Sequence, residues 1–404
     1  MLCIAFTGGG TGGHIYPGLA VASCLKEKAV CRLFWIGSDT GMDRSIVEAF
    51  GLEFFGIPSG KFRRNFSFKN FTDLFRVLGG FFAARKILKR EKPAVLFSKG
   101  GFVSVPPCAA ASSLGLTVFT HESDYSPGLA TRLNARFAAK GRGGIITAYK
   151  ETAGQFPPKY RARVTALGNP VRKEFRFADA AKGRAFAGFS GEKKILVVLG
   201  GSQGALEINR LVEETLPVLT RYYDVLHQTG PGNAAVSPSA GYKSVPYIKE
   251  EMPAVLAAAD LVLGRSGAGT VWECAAAGKP MILVPLAGAG TRGDQVENAR
   301  FFEKAGAARV IGPDAGGLER KAAALGETVA LIAEDRALRD AMAAASAKIG
   351  SADAASDIAG AILAALDPDS AGNLNGNPNG TSAGIPGAGG TGDSGEGEKA
   401  DAGN

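Results

Sequence analysis

Along the first third of the chain, short unbroken apolar runs alternate with longer stretches whose apolar residues recur every three or four positions. MLCIAF at the N-terminus predicts a strand, Gly18 to Lys28 a helix, and CRLFWIG a second strand. AVLFSKGG and LTVFTHES predict two more, each running out into glycine or polar residues. Strands that are apolar on both faces and separated by helical patterns belong to a parallel sheet covered on both sides. The pattern restarts at 193–216, KKILVVLGGSQGALEINRLVEETL, again strand, glycine loop and helix. Strands follow near YDVLHQTG, KSVPYI and ADLVLG, and the helix TVWECAAAG leads into the strand MILVP. Two strand–glycine-loop–helix openings, at Gly8 and Gly200, predict an α/β protein of two Rossmann-like domains facing each other across a cleft. Sites in such sheets sit beyond the carboxyl ends of the strands. The break falls near GNPVR (168–172), which divides the chain into 1–166, 167–345, a C-terminal helical segment 346–367 and a tail 368–404. The tail, rich in Gly, Asn, Ser and Asp with almost no large apolar side chain, is expected to be disordered.

Composition narrows this picture. At 404 residues with 46% hydrophobic content, the chain can build two or three packed cores. No run of about 18 apolar residues is present, so no spanning helix is expected. Met1 leads straight into a strand with no charged leader, which argues against a signal peptide. Five cysteines (Cys3, Cys24, Cys31, Cys108, Cys274), odd in number and without a C-x-x-C pair, read as reduced thiols of a cytoplasmic protein. The net charge of +8 is local: residues 61–92 carry ten Lys/Arg against Asp73 and Glu91, together with seven of the 23 phenylalanines.

Three stretches carry candidate chemistry. The first, FTGGGTGGHIYPG (6–18), satisfies the Gly8-x-Gly10-x-x-Gly13 dinucleotide fingerprint. NAD is disfavoured, because the second strand ends in glycine and Asp39 comes only after it, where an acidic residue should meet the ribose diol. Thr11, Gly12, Gly13 and His14 lead into a helix whose dipole disfavours a charged His14 and keeps it available as a base; capping or packing the loop is an equally good reading of that histidine. The second, THESDYSPGLATRLNARFA (120–137), clusters His121, Glu122 and Asp124 behind a strand. Three scattered histidines lack zinc-ligand spacing, and Asp367-Pro-Asp369 sits at the edge of the tail, so no metal and no cofactor are expected. Selection of sugar hydroxyls suits this cluster, the alternative being a hydrogen-bonded loop that holds the helix beginning near Pro127. In the third, GRSGAGTVWECAAAGKP (264–280), backbone N–H groups of Ala268 to Val271 can meet phosphate or sugar oxygens, and Glu273 can accept both ribose hydroxyls. Gln295 and Asn298, three apart, share a helix face toward the same cleft.

GGTGGHIYPGLAVA, SKGGFVSVPP, HESDYSPGLATRLNARFA, GNPVR, GGSQGA and RSGAGTVWECAAAGKPMILVP, in this order over roughly residues 1–365, resemble the MurG-type peptidoglycan N-acetylglucosaminyltransferases. The resemblance implies the two-domain glycosyltransferase-B fold, an acceptor- and membrane-facing first domain, and a second domain that binds UDP-GlcNAc. It also implies inverting transfer of GlcNAc to the 4-hydroxyl of the muramyl unit of lipid I, giving lipid II. Carried over residue by residue, Thr11, Gly12 and Gly13 would line the donor diphosphate and acceptor side, and Arg172 and Ser202 would face the diphosphate. Ile248 would present backbone to uracil, and Ala268, Gly269, Thr270, Val271, Trp272 and Glu273 would wrap the sugar and ribose. Gln295 would hold a sugar hydroxyl. Asp124 stands where the family often has an Asn contacting the GlcNAc hydroxyls, and AGAGTRGDQ is longer than usual and lacks the customary His before Gln. Inverting transfer needs a base and charge stabilisation for departing UDP; helix N-termini after Gly200 and at Ala268 can supply the second without a metal. His14 is the expected base, with Glu122 and Asp124 behind it.

The basic segment acquires a purpose beside a lipid-linked acceptor. Phe71, Leu74, Phe75, Leu78 and Phe82 recur at helical spacing among Arg76, Arg85, Lys86 and Lys89. Some of these phenylalanines can cover the sheet, but core packing does not explain ten basic residues. Docking on an anionic membrane surface does, at about 1 kcal/mol per basic residue near the headgroups. RNA binding would use a similar patch, and no nucleic-acid module accompanies it. The expectation is a peripheral enzyme at the cytoplasmic face of a bacterial inner membrane, beside cell-wall synthesis proteins. The rivals are another nucleotide-sugar enzyme of the fold (a lipid glycosyltransferase or a UDP-GlcNAc 2-epimerase), a non-catalytic membrane scaffold, and an NAD oxidoreductase.

Overall fold

Seven parallel strands form the first sheet: β1 (Leu2–Thr7), β2 (Cys31–Ser38), β3 (Glu53–Ile57), β4 (Val95–Ser98), β5 (Thr117–Glu122), β6 (Gly144–Thr147) and β7 (Val164–Ala166), in the order β3-β2-β1-β4-β5-β6-β7. Six more form the second: β8 (Ile195–Leu199), β9 (Asp224–Gln228), β10 (Tyr242–Val245), β11 (Leu261–Gly264), β12 (Met281–Leu283) and β13 (Ala308–Val310), in the order β10-β9-β8-β11-β12-β13. This computed structural model describes residues 1–60, 68–189, 191–201, 204–233, 240–288, 291–351 and 353–367, without the side chains of 68–74. Ser202, the segment 61–67, the side chains of Phe71 and Leu74, and the tail 368–404 lie outside the described residues.

The apolar runs are continuous because both faces of each sheet are buried. Along β1, Ile4 and Phe6 enter one core with Trp35 and Phe97, while Ala5 between them enters the other with Phe34, Ile36 and Leu96. In β8, Leu196 and Val198 face one core and Ile195, Val197 and Leu199 the other. Each fully buried side chain of this size contributes roughly 1.5–3 kcal/mol of transfer free energy. Strand order reverses between β1 and β4, and again between β8 and β11. At such a switch point neighbouring crossovers leave toward opposite faces, and a crevice opens at the carboxyl ends.

Two features depart from the sequence expectation. The first helix runs Gly12–Lys28, beginning at the glycine pair and not at Gly18, with Thr11 as an extended N-cap. Glycine at 18 is then set by packing: a Cβ there would lie 2.5 Å from the Trp35 ring. At the far end, the 345/346 division falls inside the helix Arg336–Gly350, whose Ile349 belongs to a second-domain core. The helix after it, Ala354–Ala364, crosses back onto the first domain, where Ile358 and Ile362 are fully buried against the Leu19–Leu25 face.

The domains also meet through an aromatic junction. Tyr125 and Tyr149, from loops after β5 and β6, pack against Phe301 of the second domain, and Tyr149 also against Trp272, with Phe302 behind both. The ring centroids of Tyr149 and Phe301 are 4.7 Å apart. Among the described residues no helix is long and apolar enough to cross a membrane.

Candidate active site

The first wall of the cleft is the glycine loop after β1. Buried Asp43 accepts the Gly10 amide at 2.9 Å and the Ser38 amide at 3.1 Å, and so pins the turn from beneath. No side chain caps the helix that begins at Gly12, so the amides of Gly12 and Gly13 remain available for an anion or hydroxyl. His14 lies in that turn, half-buried, against the loop after β4. At Gly101 (φ +78°) a Cβ would come within 2.7 Å of the Gly9 carbonyl and 3.1 Å of the His14 ring, which is why SKGG carries glycine there. Lys99 of the same loop is buried and donates its ammonium to Ser123 Oγ. Burial, and then the charge of Lys99, lower the His14 imidazole to about 4; burial lowers Lys99 itself to about 8. His14 is therefore neutral at pH 7, and its Nδ1 is buried without a hydrogen-bond partner.

The loop after β5 is built around Glu122. Glu122, grouped in the sequence reading with the catalytic residues, spends both carboxylate oxygens on its own turn. Oε1 accepts the amides of Ser123 and Asp124, at 2.9 and 3.1 Å, and Oε2 accepts that of Gly128 at 2.9 Å. A carboxylate so occupied shapes the loop. His121 is buried, with Nε2 3.0 Å from the Gly168 carbonyl at the interdomain linker. Ser123 passes the Lys99 contact on to Asn169 Oδ1 at 2.6 Å. The linker is thereby tied to the two loops that flank His14.

The second wall comes from the loop after β11 and the helix Ala268–Ala276. Ser266 Oγ donates to the Gln295 carbonyl at 2.7 Å and Asn298 Nδ2 to the Ser266 carbonyl at 3.1 Å, fixing the turn. Gly267 is an extended N-cap with no side-chain bond, so the amides of Ala268, Gly269 and Thr270 open the helix uncapped. Arg172 lies between the rings of Tyr16 and Phe175, 5.3 and 5.0 Å away, with Nε buried and unpartnered. Glu273 is raised by burial to about 7, against the pull of Arg172. A cavity at the junction is lined by Tyr16, Asn169, Arg172, Gly269 and Glu273, among others. It brings the His14 helix of one domain to the Glu273 helix of the other.

Several of these residues already have partners within the protein. Trp272 is buried in the aromatic junction and donates Nε1 to the Tyr149 hydroxyl at 3.2 Å, and Val271 is fully buried. Neither side chain can touch a ligand, because positions 271 and 272 fall on the core face of their helix. Ile248 already gives its amide to Gln228 Oε1 at 2.9 Å, leaving only its carbonyl for a base. Gln295 Oε1 accepts the Leu286 amide at 3.0 Å, so its NH₂ group is what it can offer. The sequence reading missed Asp43, Asn169 and the aromatic pair Tyr125–Tyr149. Lys99 was visible only as a lone charge in an apolar stretch. Among the described residues no cluster of His, Cys, Asp or Glu could hold a metal ion.

Two parallel-sheet domains, each with its switch-point loops turned to a shared cleft, place the molecule among the two-domain glycosyltransferases of the glycosyltransferase-B architecture. Residues 4–141 match the glycosyltransferase family 28 N-terminal domain and residues 195–358 the family's C-terminal domain, and the chain belongs to that family. A UDP-N-acetylglucosamine–N-acetylmuramyl-(pentapeptide) pyrophosphoryl-undecaprenol N-acetylglucosamine transferase of Treponema denticola is 49% identical over 332 residues, covering 77% of this chain and 84% of the relative. The enzyme of the same description from Shouchella clausii is 44% identical over 310 residues, covering 76% and 85%. In structure, Acinetobacter baumannii MurG superposes with a TM-score of 0.68 over 90% of this chain and 99% of its own, at 24% identity.

Proposed function

We propose that this enzyme transfers N-acetylglucosamine from UDP-GlcNAc to the 4-hydroxyl of the N-acetylmuramyl unit of a polyprenyl-pyrophosphate-linked acceptor (lipid I), with inversion, giving lipid II. The observation that carries the reading is the cavity where Tyr16, on the helix that begins beside His14, meets Arg172 and Glu273, in a chain about half identical to a transferase named for that reaction. His14 takes the acceptor hydroxyl proton as the oxygen attacks C1. The C1–O bond to the diphosphate breaks, and UDP leaves with the electron pair. Arg172 and the uncapped amides at Gly12–Gly13 and Ala268–Thr270 meet the charge that builds on the diphosphate. Glu273 accepts the ribose hydroxyls, the Ile248 carbonyl faces the base, and Asp124 and Gln295 border the sugar. Glu122 acts only by holding the 123–128 turn.

The acceptor's lipid tail calls for a membrane-facing surface, and the helix Phe68–Glu91 supplies one. Its Ala84 and Leu88 face the core, whereas Phe75, Leu78 and Phe82 are exposed, with Lys86 and Lys89 beside them. The described members of the apolar stripe, Phe75, Leu78 and Phe82, thus point to solvent. It suits peripheral docking on an anionic bilayer at the cytoplasmic face. The test of function uses radiolabelled UDP-GlcNAc with and without a short-chain lipid I analogue. Label should enter a disaccharide-lipid only when acceptor is present. Conversion of UDP-GlcNAc without acceptor would mark an epimerase instead, and no conversion at all would remove the transferase reading.

A further inference from the structure

The loop after β5 and the loop before the helix Asp294–Lys304 belong to different domains, yet polar contacts join them at one residue. Arg292 Nη2 donates to Asp124 Oδ2 at 2.8 Å and to Asp294 Oδ2 at 3.0 Å. Asn298 Nδ2 donates to Asp124 Oδ1 at 3.1 Å, while Asn298 Oδ1 accepts the Tyr125 amide at 2.9 Å. Both oxygens of Asp124 are therefore held from across the cleft. Burial, and after it the carboxylates of Glu122 and Asp294, raise its carboxyl above the usual range, against Asn298 and Arg292. Arg292 is the cation that reaches over to it. Space is kept for that reach at Gly128, where a Cβ would lie 2.6 Å from Arg292 Nη1.

An exposed ion pair would be worth little. Here the Arg292 side chain is exposed, but the Asp124 side chain it meets is only 18% exposed, shares its carboxylate with a fully buried amide and lies in the other domain. We propose that Arg292 is a positioning residue acting through Asp124: the pair is an ionic clasp that holds the 123–128 loop of the first domain on the second and sets how tightly the cleft takes the sugar nucleotide. The inference rests on the transferase reading for its substrate. It also accounts for both places where the chain leaves the pattern of its resemblance, Asp124 and the TRGDQ stretch, by joining them in space.

The test compares Arg292→Ala, Arg292→Lys, Asp124→Asn and the Asp124→Asn/Arg292→Ala double variant in the labelled transfer assay. It is read together with amide hydrogen exchange at Tyr125, whose N–H crosses the junction. Arg292→Ala should raise the donor KM roughly tenfold with kcat changed less than about threefold, and Arg292→Lys should recover part of the loss. The double variant should be no worse than the worse single one, because each change breaks the same contact. Tyr125 exchange should quicken in every variant that breaks the pair. A donor KM within about twofold of the parent, effects that multiply in the double variant, or unchanged Tyr125 exchange would each overturn the clasp. If the parent enzyme transfers no label, the transferase reading falls by itself, and the Tyr125 exchange still decides the clasp.

Discussion

His14 in the first domain and His227 in the second carry the same electrostatic signature and opposite surroundings. Burial lowers both to about 4. His227 is closed off on β9, with Nδ1 3.0 Å from the Tyr242 hydroxyl and Nε2 3.1 Å from Asn209 Oδ1. His14 is half-buried at a helix start, beside a buried lysine, with one ring nitrogen unpartnered. A lowered pKa therefore marks burial in both and function in neither. Only the unpartnered nitrogen and a place at the start of the helix that lines the cleft separate a proposed base from a core histidine.

Mutation of the two residues gives the largest separation. His14→Ala should cut kcat by about 10²- to 10⁴-fold, the usual worth of a general base, with little change in melting temperature. His227→Ala should do the reverse, costing about 1–3 kcal/mol for the stranded Asn209 and Tyr242 groups while kcat stays within a few-fold. Equal losses of kcat from both variants would break the comparison.

Acid stability sharpens it next. The folded-state value of His227, about 4, lies below its ordinary 6.5. Its contribution is complete above pH 6.5 and is lost as pH falls toward 4, amounting to about 2 kcal/mol by pH 5. The His227→Gln variant should accordingly lose less melting temperature between pH 7 and 5 than the parent.

A smaller effect belongs to neither histidine. Glu273, raised to about 7, becomes a full acceptor for ribose hydroxyls only as it ionises. The donor KM should fall roughly tenfold from pH 6 to 8, and Glu273→Gln should abolish that slope. A slope that survives in Glu273→Gln would assign the titration elsewhere. The smallest expected effect is that of Lys99→Met. Removing the charge that helps to hold His14 down should move the acid limb of kcat/KM upward, by less than burial has moved it down.

Much of this was legible beforehand. Central strands β1, β2, β4, β8 and β11 hold unbroken apolar runs and are readable, while β5 (TVFTHE) and β9 (DVLHQ) add buried polar residues to an apolar pair. β3 (EFFGI), β6 (GIIT), β7 (VTA) and β13 (ARV) are short and carry glycine or polar residues. Their extended form comes from pairing with neighbours and not from local pattern. The glycine loops, His14, Arg172 and Glu273 were readable because they lie within continuous motifs. That the side chains of Trp272 and Val271 turn to the core was not readable, because a motif does not say which face of its helix is buried.

By itself, then, the order of residues determined two parallel α/β halves, the loops at their strand ends and the chemical types on them, since each is a local matter of apolar period, glycine and charge. The tertiary structure alone decided what lies far apart in sequence. It put Asp43 under Gly10, turned Glu122 inward to its own loop, returned the last helix to the first domain and joined Asp124 to Arg292. Those pairings follow from how two sheets and their covering helices fill space together, and no short stretch of sequence contains that information.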